Sequence, residues 1–315
     1  MRKAVSALLS VSVLSLSMVS GVGKAHAAEG DVINEKWGKP VFVYGEALTT
    51  QQKLKTLDLL KSQEDNVKSV SVNGKDLVKY LGEGDPSSKM YSSALIERTD
   101  KGSGVKVSIV TEENITEVTE NQYANAMITA GVSDADVKVA SPIKVTGESA
   151  LTGIYKAYEA EGETLDKDRM EAAQNELDVT TRIAGENKNN KDFNTEQLNQ
   201  ALIDIKSELA KLKEDQDKLA TPEQIEKIVN DALKDNDLDG VITNDQVSQL
   251  VDMANKYQNT KAIDSAEVKK QLNDLADQVK DKLSKLKDKA EETGFFQKIG
   301  DAIMSLFSAI ARLFS

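Results

Sequence analysis

The sequence predicts an α+β protein: an N-terminal mixed α/β domain, then an all-helical domain with long helices and a C-terminal amphipathic helix. Two observations carry this. Between Val41 and Ala140 short β-rich runs alternate with helical ones, the pattern of helices laid against a mixed sheet. From Asp166 onward apolar residues recur in steps of three and four, the pattern of packed helices. The predicted division is residues 1–27 a signal peptide, 28–161 the α/β domain, 162–293 the helical domain and 294–315 the terminal helix.

The first segment has the grammar of export. Arg2 and Lys3 precede an apolar run from Ala4 to Val19, and Ala25-His26-Ala27 supplies the small-residue cleavage site. A mature chain starting at Ala28 is expected to be secreted, extracellular or associated with the cell envelope. Of 40 basic and 52 acidic side chains, cleavage removes Arg2, Lys3 and Lys24 and no acid, leaving 37 against 52 and a net charge of −15. Such a chain repels nucleic acid and attracts divalent cations. His26, the one histidine, leaves with the signal, and there is no cysteine. Histidine-based triads, zinc sites built on His and Cys, haem ligation and thiol redox are thereby excluded. Carboxylate, lysine and oxygen-ligand metal chemistry remain.

In the α/β half, Val41-Phe42-Val43-Tyr44 is an apolar strand, and Thr50 to Lys61 places Leu54, Leu57 and Leu60 at helical spacing. Residues 67–72 alternate as a second strand ending at Asn73-Gly74. Ser92 to Arg98 and Val105 to Val110 flank a loop with two glycines, Gly102 and Gly104, which suits a hairpin. Thr119 and Gln122 form a capping box for a helix to Ala130, stopped by Gly131. Val137 to Ala140 is a further strand, closed by Pro142.

The most distinctive run is Ser141 to Glu159. Together with Gly45-Glu46-Ala47-Leu48-Thr49, Tyr80-Leu81-Gly82, Asn114-Ile115-Thr116, Tyr123-Ala124-Asn125-Ala126 and Thr129-Ala130-Gly131-Val132, it resembles the YpuA-like family of secreted Gram-positive bacterial proteins. The resemblance covers most of residues 41–160. It implies export to a Gram-positive envelope, and brings no reaction, cofactor or catalytic residue.

Local motifs for catalysis are weak. Gly147-Glu148-Ser149-Ala150-Leu151 nearly spells a nucleophile elbow, but Leu151 replaces the second glycine and no histidine can act as base; the run reads as helix capping. The Ser-x-x-Lys spacings, Ser103 to Lys106 and Ser284 to Lys287, fall in a turn and on a charged helix. Acid pairs such as Glu112 with Glu113 and Asp134 with Asp136 keep a carboxylate hydrolase open, but spacing in sequence does not give separation in space.

The helical half opens with Asp166 to Ala184, stopped by Gly185. Next comes a seam of Leu198, Leu202, Ile205, Leu209, Leu212 and Leu219. Thr221-Pro222-Glu223-Gln224 starts another helix. It leads into the run Asp235 to Gln246, which resembles an EF-hand calcium loop. Asp235, Asp237 and Asp239 stand at positions 1, 3 and 5, Gly240 at 6, the Val241 carbonyl at 7, Thr243 at 9 and Gln246 at 12. Glutamine in place of the bidentate glutamate predicts a weak calcium site. A polar turn between two helices accounts for the same residues. Val247, Leu250, Val251 and Ala254 then form an apolar face. Asp264 and Glu267 cap a last long helix carrying Val268, Leu272, Leu275, Val279, Leu283 and Leu286.

Residues 295–315 form an amphipathic helix. Phe295, Phe296, Ile299, Ile303, Leu306, Phe307, Ile310, Leu313 and Phe314 occupy one face, against a narrow polar sector holding Lys298, Asp301 and Arg312. Spanning a bilayer would place Asp301 and Arg312 in hydrocarbon, at about 2.5 to 3.5 kcal/mol each, so docking on a membrane surface or a protein partner is expected instead. Folding back onto the bundle is the competing expectation. The overall expectation is a non-enzymatic envelope protein acting by recognition or scaffolding. The alternatives are a carboxylate-based hydrolase of cell-wall polymer and a membrane-active secreted protein.

Overall fold

Val41–Gly45 forms β1, and its alternating pattern explains why two cores exist. Val41 and Val43 face one side of the sheet and Phe42 the other, and all three are fully buried. The computed structural model describes residues 37–82 and 84–288. Four further strands complete one sheet: β2 (Lys68–Val72), β3 (Ser93–Arg98), β4 (Val105–Ile109) and β5 (Ala135–Ala140), in the order β2-β1-β3-β5-β4. β1 pairs in parallel with β2, and β4 in parallel with β5, while β3 runs antiparallel to both β1 and β5.

Parallel neighbours need a crossover. Helix α1 (Thr50–Leu59) joins β1 to β2, and α3 (Glu120–Ala130) joins β4 to β5. The expected hairpin between β3 and β4 therefore does not form, because β5 lies between them. Asp134 makes this arrangement possible. It adopts φ 48°, its carbonyl accepts from Thr99 N at 2.7 Å, and its Oδ1 accepts from Gly102 N and Gly104 N at 2.9 Å each. The glycine-rich loop is thus bound to the start of β5.

α1 covers one face of the sheet through Leu57 and Leu60 against Phe42, Val67, Leu95 and Ala140. The other face carries α3 and α4 (Ser149–Ala160), after α2 (Gly74–Leu81). Gly153 lets α4 come close, since a Cβ there would lie 3.3 Å from Val43 Cγ1.

Beyond this layer lie α5 (Lys167–Asn187), α6 (Thr195–Gln216), α7 (Pro222–Asp235) and α8 (Asn244–Gln258), and a last helix, α9, over residues 266–288. The capping boxes at Thr119 and Thr221 form as the sequence predicts. Two terminators differ. α5 runs through Gly185, whose missing side chain meets nothing within 4 Å, so the weak helix propensity of one glycine is outweighed by packing on both sides. Ser265, rather than Asp264 and Glu267, caps α9 by accepting from Val268 N at 3.3 Å, while Asp264 ends a short 3-10 turn.

The seam residues Leu198, Leu202, Ile205 and Leu209 are buried, whereas Leu219 lies past the end of α6 and is exposed. One continuous apolar cluster runs from Val41 to Val279, so the change of element type near Glu161 is not a break in the core. Among the described residues no helix is long and apolar enough to cross a membrane.

Candidate functional site

Two clefts, of about 840 and about 680 Å³, adjoin where residues 141–149 meet α5. Glu148 and Asp178 line both. The backbone that presents Glu148 is strapped in place. Val145 N donates to Asn114 O at 2.8 Å and Thr116 N to Val145 O at 3.0 Å, making a short parallel bridge of Ile115 with Val145. Asn114 Nδ2 also donates to Ser141 O at 2.9 Å.

Gly147 then turns with φ +114°, and the Tyr123 hydroxyl donates to its carbonyl at 2.6 Å. A Cβ at this glycine would lie 2.7 Å from Tyr123 Oη and 2.8 Å from Ile115 Cγ2, so no larger residue fits this turn. Glu148 follows at the N-cap position of α4 but makes no capping bond with its side chain. The expected capping role is absent, and its carboxylate instead accepts from Thr146 Oγ1 at 3.4 Å.

Burial raises the Glu148 pKa above the ordinary glutamate range. The negative charges of Asp178 and Glu117 raise it further, and the Thr146 bond only partly opposes this. Gln174 Nε2 donates to Asp178 Oδ1 at 2.6 Å. That leaves Gln174 Oε1 without a hydrogen-bond partner, as are Thr152 Oγ1 in the same cleft and Thr181 Oγ1 in its neighbour, all buried. Arg182 and Lys188 line the larger cleft and Lys89 the smaller one.

The EF-hand-like run folds as a helix–loop–helix clip. Asp235 ends α7, Asp237 takes φ 58° and Gly240 φ 73°. Asp235, Asp237 and Asp239 are exposed. The buried Leu238 anchors the loop, its N–H donating to Leu233 O at 2.8 Å and its carbonyl accepting from Val241 N at 3.1 Å.

Thr243 and Gln246 serve each other as the capping box of α8. Gln246 Oε1 accepts from Thr243 N at 3.0 Å and from Asn187 Nδ2 at 3.3 Å, and its Nε2 donates to Glu186 Oε2 at 2.7 Å. The twelfth position is therefore tied to α5 rather than turned toward the three aspartates. Among the described residues no group of three or more His, Cys, Asp or Glu side chains is arranged to hold a metal ion. Phe295, Phe296, Ile299, Ile303, Leu306, Phe307, Ile310, Leu313 and Phe314 lie outside the described residues.

The acid pairs noted in the sequence do not build a site. Glu112 and Glu113 are exposed, and Asp134 is spent on the β3–β4 loop. Local spacing misses Glu148 with Asp178 because the two are thirty residues apart on different elements. The strained glycine ahead of an acid at a helix start was the one signal available.

A family model described as a protein of unknown function (DUF1002) matches residues 44–275. The chain is also similar to an uncharacterized protein, YpuA, of Bacillus subtilis (strain 168), with 36% identity over 322 residues covering 100% of each chain. No solved structure matches.

Proposed function

Because the chain belongs to the DUF1002 family, whose description leaves its function open, we propose that it is a secreted, non-enzymatic envelope protein that acts by recognition. Its ligand seats in the groove around Glu148. The observation that carries this reading is the junction of two clefts at Glu148 and Asp178, with Arg182 and Lys188 lining one and Lys89 the other. Two carboxyl groups flanked by cationic side chains suit a ligand that carries hydroxyl or amine groups together with acid groups, as wall polymers do.

Calorimetry with soluble wall fragments tests this. Saturable heat is expected, with affinity reduced about tenfold for each charged hydrogen bond removed, in Glu148→Gln and Arg182→Ala. No heat, or heat unchanged in both well-folded variants, rejects the reading.

The same site supports a hydrolase as second reading. A carboxyl with a raised pKa beside a second acid is the division of labour of glycoside hydrolysis, one group donating a proton and the other remaining ionised. Release of new reducing ends, abolished by Glu148→Gln, would establish it, and intact polymer after prolonged incubation would exclude it.

Residues 294–315 are proposed to dock the protein on a membrane or partner, which liposome flotation of the full chain and a chain ending at residue 293 decides. A calcium ion at residues 235–246 would require Thr243 and Gln246 to leave their capping box. A saturable calcium heat lost on replacing Asp237 and Asp239 by alanine would show calcium bound at this loop.

A further inference from the structure

Lys206 on α6, Glu176 on α5 and Asn125 on α3 meet in the interior, away from the groove. Lys206 is 0% exposed, Asn125 1% and Glu176 2%. Lys206 Nζ lies 2.9 Å from Glu176 Oε1 and 2.9 Å from Asn125 Oδ1. It also reaches Thr129 Oγ1 at 3.3 Å and the Asn125 carbonyl at 3.4 Å. Thr129 Oγ1 donates to Glu176 Oε2 at 2.7 Å, and the Tyr257 ring centre is 5.9 Å from the amine. Asn125 Nδ2 makes only a long contact, 3.5 Å, with Asn199 O.

A buried amine hydrogen-bonded to the oxygen of a carboxamide, with a carboxylate on the amine, brings a nucleophile, an electrophile and a proton carrier into one dry pocket. We propose that these three residues form an intramolecular isopeptide bond between Lys206 Nζ and Asn125 Cγ, with Glu176 moving the protons.

The ammonium first gives a proton to Glu176, which removes two buried charges at once. Burial also lowers the Lys206 pKa, although the nearby Glu176 opposes this. The freed lone pair on Nζ attacks Cγ, forming the C–N bond while the carbonyl electrons move to Oδ1. Glu176 delivers its proton to Nδ2 and takes one from Nζ. The Cγ–Nδ2 bond then breaks, the carbonyl reforms and ammonia leaves. Ammonia takes the remaining proton from Glu176 and departs as ammonium. No oxidant or other reactant is needed. The product is an uncharged amide tying α3 to α6 across 81 residues of sequence, in a chain that has no cysteine.

The test is mass spectrometry of the full chain, purified folded and then denatured, with peptide mapping. The expected result is a species lighter by one ammonia, and a branched peptide joining the Asn125 and Lys206 segments, with no cleavage by trypsin at Lys206. Glu176→Gln and Lys206→Arg should keep the ammonia, their folding checked by circular dichroism. Should both variants misfold, the mapping of the unaltered protein still decides. Separate linear peptides after long incubation of the folded protein, or an ammonia loss confined to Asn125 as a succinimide, overturns the proposal.

Discussion

Glu148 shows how a single residue's chemistry is set by groups remote in sequence. Its pKa is raised by burial first and by Asp178 second. A carboxyl whose folded pKa exceeds its unfolded one favours the native state at low pH, and that contribution is lost as pH rises through the folded value. Asp178→Asn should therefore lower the Glu148 pKa toward the ordinary 4.5, read by NMR titration of the side-chain carboxyl. An unchanged titration would mean that burial and Glu117 set it without Asp178.

Arg169 is the second instructive residue. It is 1% exposed, and its Nε and a terminal nitrogen donate to the carbonyls of Thr129 and Ile128 at 2.8 and 3.0 Å. These are the last carbonyls of α3, where a cation is favoured by the helix dipole. Burial brings its pKa down to about 10. Arg169→Met removes the bonds to both carbonyls, leaving Ile128 O only its bond from Gly131 N at 3.1 Å, and should cost about 3 kcal/mol in urea unfolding. Arg169 did not stand out in the sequence, because one arginine among many charges carries no spacing signal. The better clue was Gln122, Asn125 and Thr129 at steps of three and four, a polar stripe on a helix that is buried throughout its middle.

Elements were more legible than sites, where the determinant is local. The capping boxes at Thr119 and Thr221 and the left-handed Gly131 are each decided by residues within one turn, and each forms. What pairs with what in the sheet was not legible. Gly102 and Gly104 suited a hairpin, but their N–H groups are taken by Asp134, whose position depends on where α3 returns the chain. In the EF-hand-like run the residue types were right for calcium, yet the same Thr243 and Gln246 are equally right for a capping box, and the structure uses them so. Gly147→Ala tests how far the turn before α4 governs the groove. Its left-handed backbone and its contacts with Tyr123 and Ile115 predict a loss of about 1 to 3 kcal/mol and a displaced Glu148. Melting temperature and ligand heat would both report it.

At the scale of the whole molecule, the sequence suggested a seam near Glu161, while the apolar cluster continues from Val41 to Val279. Shared burial makes unfolding cooperative. Trp37, the one tryptophan, stacks edge-on with Tyr158 at 4.9 Å and donates to Glu163 Oε1 at 2.6 Å. It reports the sheet end, whereas far-UV circular dichroism is dominated by the long helices. The two probes should show one urea midpoint, and two separated midpoints would reveal independent halves.

The shared core also has a consequence in time. Val132, between α3 and β5, accepts from Gln271 on α9 at 3.4 Å, 139 residues downstream. The apolar surface around Val132 that α9 covers is therefore closed only once the far end of the chain has arrived, and contacts of such separation close slowly. A chain emerging N-terminus first can lay α1, α3 and α4 on its strands early, but its shared core stays incomplete until synthesis is nearly finished. For the export proposed above this is an advantage, since a polypeptide whose core is still incomplete is more easily opened and threaded through a narrow channel.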